Sequence, residues 1–174
     1  MTTDVFSPEK RSAVMRRVRG RDTTPELKVR RLLRQAGIGY RLGGCGLPGR
    51  PDLVMKGRRI ALFVHGCFWH GHDCPRGARR PKSNADYWQA KIERNRRRDS
   101  RVTADLSAMG WSVITIWECA LGRPDLAERL IGAVTAGQAT TVSRATSSSV
   151  SSPPPSTNCS APSRADGVSG FDTK

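Results

Sequence analysis

The sequence contains no apolar run of 18 residues, so no segment is expected to cross a membrane. Its N-terminus, Met-Thr-Thr-Asp-Val-Phe-Ser-Pro, has neither the basic nor the apolar region of a signal peptide. No internal repeat is present. These absences predict a cytoplasmic protein, and in a reducing compartment its five cysteines are expected to be thiols or metal ligands rather than disulfides.

Acidic residues are scarce: 15 Asp and Glu stand against 30 Lys and Arg, a net charge of +15. Residues 138–174 contain only three basic and two acidic residues, so almost all of the excess lies on residues 1–137. Arg greatly outnumbers Lys, and the guanidinium group is the better fork for phosphate. A solubilising surface is the alternative, but charge and pattern together predict a nucleic-acid partner.

Large apolar side chains are nearly missing from residues 140–163, which are rich in Ser and Thr around Pro153-Pro154-Pro155. Such a segment cannot bury enough surface to offset the entropy of ordering it. The sequence therefore predicts a folded domain over residues 1–137 and a disordered tail over residues 138–174, in which Cys159 is incidental.

The folded part alternates helix and strand signals. Ser-Pro-Glu at 7–9 and Thr-Pro-Glu at 24–26 predict helix starts, with Pro in the first turn. A third cap, Ser-Asn at 83–84, precedes a long amphipathic stretch, and Pro124 is predicted to begin the last helix. The predicted helices cover 7–19, 24–37, about 83–110 and a segment from 124.

Short apolar and β-branched runs predict the strands. They cover 38–42, 52–55, 60–65 and 111–117, and a turn at 56–59 joins the second and third as a hairpin. The run Ile60–Val64 is continuously apolar, which is typical of a strand covered on both sides. The fold class is therefore α/β: a central mixed sheet with helices on both faces.

Two predicted helices carry polar residues on their apolar faces. On the second helix Glu26 lies at the edge of a face formed by Val29, Leu32, Leu33 and Ala36. On the long helix Asn95 and Asp99 interrupt an apolar face formed by Trp88, Ile92, Val102, Leu106 and Met109. Polar groups on a core-facing stripe need partners, unless the helix leaves the core at that point.

Histidine is absent everywhere except between Phe63 and Cys74, where all three histidines follow the apolar run. Cys67, His72 and Cys74 lie within eight residues of one another, and Cys119 follows the last predicted strand. Thiolates and imidazole at such spacings suit a closed tetrahedral zinc site. Cys45 competes with Cys119 as the fourth ligand, and small apolar core cysteines are the alternative to a metal site.

The remaining acids and imidazoles predict a second centre. Asp52 opens one strand of the hairpin and His65 closes the other, so both are expected near one edge of the sheet. A carboxylate there can hold Mg²⁺, and His65 or His70 could take a proton from water. A turn-capping role for Asp52, a structural His65 and a dipole-complementing Glu26 are the alternatives.

Aromatic residues adjoin these groups. Phe68 and Trp69 lie between a predicted zinc ligand and a histidine, Trp88 opens the long helix, and Met15 lies among arginines. Apolar wedges framed by arginine are what a protein needs to unstack a base step. Core packing is the alternative for each residue taken singly.

Over residues 7–135 the chain resembles the very short patch repair (Vsr) endonucleases. The motif Phe-Val-His-Gly-Cys-Phe-Trp-His-Gly-His-Asp-Cys carries the resemblance, supported by Leu-Pro-Gly-Arg-Pro-Asp, Arg-Asp-Thr-Thr-Pro-Glu and Ile-Trp-Glu-Cys-Ala-Leu. It implies a restriction-endonuclease-like α/β fold and Mg²⁺-dependent nicking of double-stranded DNA. The nick would fall 5′ to the T of T:G mismatches left by deaminated 5-methylcytosine.

The resemblance also implies roles for single residues. Asp52 would be the Mg²⁺ carboxylate, the Val64 carbonyl a second Mg²⁺ contact, and His70 the catalytic base, with His65 and Glu26 assisting. The structural Zn²⁺ would be held by Cys67, His72, Cys74 and Cys119, and the residues entering the DNA would be Met15, Phe68, Trp69 and Trp88. A monomer at the nucleoid, working with mismatch-repair proteins, is the expected setting.

The sequence departs from the family pattern at Val64, which stands where the best-known member has Thr, and in the tail, which matches nothing. Two other hypotheses remain. One is a non-catalytic, zinc-stapled DNA-binding protein, and the other is a nuclease of broader mismatch or restriction specificity.

Overall fold

The computed structural model describes residues 20–44, 46–79, 81 and 84–143. Within them three helices and five strands alternate along the chain. The predicted helix at 7–19 and Met15 lie outside the described residues. The elements are α1 (Thr24–Gln35), β1 (Arg41–Leu42), β2 (Leu53–Met55), β3 (Ile60–His65), α2 (Ala85–Ala108), β4 (Ser112–Trp117), α3 (Leu126–Ala136) and β5 (Thr140–Val142).

The five strands form one mixed sheet in the order β1-β2-β3-β4-β5. β1, β2 and β3 are antiparallel neighbours, whereas β3 pairs with β4 in parallel and β4 with β5 in parallel. The predicted hairpin is confirmed, with Leu53 opposite Leu62. The parallel register places His65 opposite Trp117, so β3 and β4 end together.

Helices cover both faces of the sheet, as predicted. One core contains Ile60 and Leu62 of β3 with Val29 of α1 and Leu130 of α3. The other contains Ala61 and Phe63 with Leu106 of α2. Successive β3 residues therefore face opposite helical layers, which explains the uninterrupted apolar run of that strand.

The N-cap residue of helix α1 lies one position earlier in the sequence than expected. Thr23 is the N-cap, and its Oγ1 accepts a hydrogen bond from the Glu26 amide. Val29 and Leu33 are buried, but Ala36, predicted on the same face, is exposed because the helix ends at Gln35.

Helix α2 confirms only part of its predicted stripe. Ile92 and Leu106 are buried and Val102 packs against the second core, but Met109 is 49% exposed. Met109 is the C-cap residue, so it has already left the helical face that contacts the sheet.

The carboxyl-terminal part differs most from prediction. Helix α3 begins at Leu126 rather than Pro124, with Asp125 as its N-cap, where Asp125 also pairs with Arg123. Strand β5 lies inside the segment assigned to the disordered tail, and Val142 is 4% exposed in the first core. The domain boundary after residue 137 is therefore too early, since ordered structure continues through Val142. Residues 144–174 lie outside the described residues.

None of the three described helices is long and apolar enough to cross a membrane.

Candidate active site

Three cysteines and one histidine meet where β3 and β4 end. The Sγ atoms of Cys67, Cys74 and Cys119 and a ring nitrogen of His72 all lie within 4.8 Å of one another. The Cys119 amide donates to Cys67 Sγ at 3.3 Å, and the Cys119 thiol lies 3.8 Å from His72 Nδ1. The structure thus brings together all four predicted zinc ligands. Cys45, the competitor, lies outside the described residues.

The donor set fits a soft or borderline cation. Three sulfurs and one imidazole nitrogen in a small volume match a tetrahedral structural zinc site. Burial raises the pKa of the Cys67 thiol to about 12, so a proton holds that sulfur strongly unless a cation replaces it. Zn²⁺ at this cluster stays a prediction. A cation there would tie the 66–79 loop to the end of β4.

Asp52 lines a cavity of about 280 Å³. Its Oδ2 accepts a hydrogen bond of 2.8 Å from the Val64 amide, which links the start of β2 to the end of β3. Burial, with a smaller contribution from the nearby Glu26 charge, raises the pKa of Asp52 to about 6 despite that hydrogen bond. A buried carboxylate whose charge is this costly fits a bound cation, which would repay the lost hydration.

His65 and His70 line the same cavity as Asp52. Their rings stack at 3.9 Å between centroids and 7° between planes. Asp99 of α2 accepts from His70 Nδ1 at 2.5 Å. Burial, and then the His70 charge, lower the pKa of His65 to about 4. The stacked pair therefore combines one imidazole oriented by a carboxylate with one that resists protonation.

Glu26 is buried and engaged in a network of its own. Its Oε2 accepts from Arg30 at 2.9 Å and from the Asp22 amide at 3.0 Å, while Oε1 accepts from Thr23 Oγ1 at 2.8 Å. Arg30 also pairs with Asp22 at 2.5 Å. Glu26 and Asp52 line a second cavity of about 270 Å³. The structure thus places Glu26 beside Asp52 with both of its oxygens already accepting hydrogen bonds.

Glycines let the two site loops pack closely on α2. A Cβ at Gly49 (φ +71°) would lie 2.4 Å from Val102, and one at Gly71 (φ +61°) would lie 2.6 Å from Ile92. Both positions therefore exclude a side chain by space as well as by backbone angle. The loop before Asp52 and the loop after His70 are held by the same helix.

The aromatic residues form one cluster on the loop and α2. Phe68, Trp69 and Trp88 have ring centroids 5.3–5.8 Å apart, and all three are half-buried. Lys91 lies over both indole rings at 5.5 Å. Asn95 donates to the Trp69 carbonyl at 2.8 Å, which anchors the loop. The cluster therefore lies on α2 and on the loop that carries His70, and it is not part of either hydrophobic core.

Sequence reasoning flagged Asn95 and Asp99 as polar residues in need of partners, and the structure supplies both partners. Sequence reasoning did not pair Asp99 with His70, because that pairing depends on how α2 packs against the loop that carries His70. Arg30 was missed entirely. Arg30 is buried because it pairs with Asp22 and Glu26, which precede it in the chain. An arginine on a basic helix gives no sequence signal that it is buried.

Comparisons with known proteins agree on one family. A family model described as DNA mismatch endonuclease Vsr matches residues 3–76. The type II nicking enzyme V.XorIIP of Xanthomonas oryzae pv. oryzae is 53% identical over 119 residues, covering 68% of this chain and 87% of that protein. The DNA mismatch endonuclease Vsr of Escherichia coli is 40% identical over 129 residues, covering 74% and 82%. The type II nicking enzyme V.NmeAIP of Neisseria meningitidis is 42% identical over 119 residues, covering 68% and 84%.

Proposed function

Since this chain belongs to the Vsr family of DNA mismatch endonucleases, and is therefore a DNA-cleaving hydrolase, we propose that it nicks duplex DNA at T:G mismatches. The nick falls 5′ to the T, requires Mg²⁺, and begins very short patch repair of deaminated 5-methylcytosine. The observation that carries the proposal is the cavity shared by Asp52, His65 and His70. The restriction-endonuclease-like form of the fold is part of the same proposal.

His70 is the general base. Its Nδ1–H donates to Asp99, so Nε2 is left with its lone pair to accept a proton. As a water oxygen bonds to phosphorus, its proton passes to Nε2, and the phosphorus bond to the leaving oxygen breaks. Asp99 fixes the tautomer and stabilises the imidazolium that forms. His65, stacked on His70, limits the ring's rotation.

Asp52 and the Val64 carbonyl would hold the Mg²⁺ ion, which supplies positive charge for the phosphate and acidifies bound water. Glu26 assists from the adjoining cavity through hydrogen bonds to water. Cys67, His72, Cys74 and Cys119 would hold the structural Zn²⁺, which would brace the loop that carries His70, Phe68 and Trp69.

Mismatch selectivity follows from the aromatic cluster. Phe68, Trp69 and Trp88, together with Met15, would enter the base stack at the mismatch. A T:G pair is held more weakly than a matched pair, so opening the stack costs least there. The half-buried rings are packed enough to be rigid and exposed enough to contact bases.

The deciding variant is Asp52→Ala. It should abolish nicking of a T:G duplex in Mg²⁺ while leaving duplex binding within a few-fold of wild type, because it removes the proposed Mg²⁺ carboxylate but none of the basic or aromatic residues proposed to contact DNA. Asp105→Ala, at an exposed position of α2, is the matched control. Wild-type protein that binds the duplex but never cuts it would instead indicate a zinc-stapled DNA-binding protein.

A second candidate is a nicking enzyme of different or broader specificity. The relatives named type II nicking enzymes favour it. Single-turnover assays on matched, T:G and other mismatched duplexes with varied flanks separate the two. Cutting of T:G duplexes alone supports mismatch repair, whereas comparable cutting of matched DNA supports the alternative.

A further inference from the structure

Arg50 has an unusual backbone for its residue type. Its φ is +53°, in the left-handed region that disfavours side chains with a Cβ. Gly44 packs against it so closely that a Cβ on Gly44 would lie 2.5 Å from the Arg50 Cα. A left-handed conformation at a residue with a Cβ is strained and persists where the surroundings impose it, which is often at functional sites.

Arg50 is a lining residue of both cavities. Both cavities are lined by Arg50 and Asp52, with Gly20 the only other shared residue. Arg50 precedes Asp52 by two positions, with Pro51 between them, so its direction relative to the carboxylate is restrained. A ligand that occupied either cavity would therefore lie near both Arg50 and Asp52.

Three other arginines line these cavities: two are paired with acids, and the third, Arg21, lines only the second cavity and not the one that contains the histidines. Arg30 is paired with Glu26 and Asp22, and Arg98 lies 3.8 Å from Asp99. No ion pair within the described ranges includes the exposed Arg50. Its guanidinium is therefore available to an anion from outside the chain, and a phosphodiester is the anion that its planar fork matches.

We propose that Arg50 binds a DNA backbone phosphate over Asp52, and that the strained loop positions it for that contact. This inference rests on the proposed function and makes Arg50 a substrate-binding residue of the same site. The contact would hold the cleaved strand against the cavity while the aromatic cluster holds the mismatch.

The experiment compares Arg50→Gln with Arg59→Gln. Arg59 is a matched control because it is also exposed and left-handed (φ +51°), but it lies at the opposite end of β2 and β3. Arg50→Gln should weaken duplex binding about tenfold and reduce the slope of log affinity against log salt by about 1. Arg59→Gln should change neither. Equal losses in both variants, or wild-type binding and salt slope in Arg50→Gln, would overturn the proposal.

A second measurement separates phosphate binding from loop folding. Methylphosphonates placed singly along the cleaved strand remove one phosphate charge at a time. At one position near the nick, wild type should lose affinity while Arg50→Gln loses nothing further. If every position costs both proteins equally, Arg50 contacts no phosphate. Should Arg50→Gln misfold, Arg50→Gly serves instead, because glycine adopts the left-handed angle without strain.

The two proposals fail separately. Binding and its salt slope are measured without Mg²⁺ on a plain duplex and on a T:G duplex. Absence of nicking by wild type, together with the expected Arg50→Gln binding defect, would reject mismatch nicking and retain the phosphate contact.

Discussion

In the proposed mechanism Asp99 acts through His70 and does not contact the substrate. Its carboxylate accepts from Nδ1 at 2.5 Å and is only partly exposed, with a side-chain exposure of 24%. The hydrogen bond selects the tautomer whose Nε2 can accept a proton, and the negative charge stabilises the imidazolium. Asn keeps an acceptor oxygen at this place but loses the charge.

We therefore predict that Asp99→Asn slows single-turnover nicking by about 10- to 100-fold, a part of what a general base typically contributes. Duplex affinity should stay unchanged, since the aromatic cluster and arginines are intact. Asp105→Asn, on the same helix and exposed, is the control. An unaltered cleavage rate in Asp99→Asn would remove the base assignment from His70.

Asp99 and Arg30 show which parts of the site the sequence does not predict. Asp52 and His65 were predicted to lie near each other because a hairpin register depends only on strand pattern and turn length. The pairings of Asp99 and Arg30 depend on helix packing angles, which no local pattern encodes. The sequence shows that Asp99 needs a partner but not which one, and it gives no signal that Arg30 is buried.

At the scale of elements, the cluster of three cysteines and one histidine brings together the segment that follows β3 and the segment that follows β4. Cys67, His72 and Cys74 follow β3, and Cys119 follows β4. The cluster is buried, with Cys67 fully inaccessible, whereas the Asp52 cavity opens to solvent. A cation at the first site should therefore exchange more slowly than one at the second.

Chelation should reveal this difference. We predict that removing Mg²⁺ stops nicking at once and reversibly, while removing Zn²⁺ is slow and lowers the melting temperature because the ligands lose their link. Cys119→Ser should reduce bound zinc and lower the melting temperature in the same way. Full recovery by Mg²⁺ alone after complete zinc stripping would contradict a separate structural ion.

Strand β5 shows why the carboxyl-terminal boundary was misplaced. The strand is three residues long, and Thr140 and Thr141 read as the start of a Ser/Thr-rich tail. Only parallel pairing with β4 and the burial of Val142 give it order. The β3 and β4 strands, by contrast, are long and apolar enough to be visible in the sequence.

A pair of truncations tests that assignment. A chain ending at residue 143 should unfold at nearly the wild-type urea midpoint, while one ending at residue 137 should be less stable. The difference should be at least about 1.5 kcal/mol, the lower end for burying a Val side chain. Equal midpoints would show that β5 contributes nothing to the sheet.

At the scale of the whole molecule, charge is the property that couples the chain to its substrate. The net charge of +15 greatly exceeds what solubility requires, and α2 carries exposed arginines beside the cavity and the aromatic cluster. Each phosphate that such groups neutralise releases condensed counterions, so affinity falls as salt rises. Such charges attract DNA of any sequence, so under the proposed function the selectivity must come from the mismatch.

We predict that duplex affinity falls by about 10³-fold or more between 50 mM and 200 mM salt, as expected for about six or more phosphate contacts. Removing residues 144–174 should leave the salt slope unchanged, because that segment carries three basic and two acidic residues and hence little net charge. Equilibrium binding to matched and T:G duplexes across the salt series measures both slopes. Parallel lines separated by a constant offset would assign the electrostatic part to the backbone and the offset to the mismatch, whereas a flat response would show that the basic surface does not bind DNA.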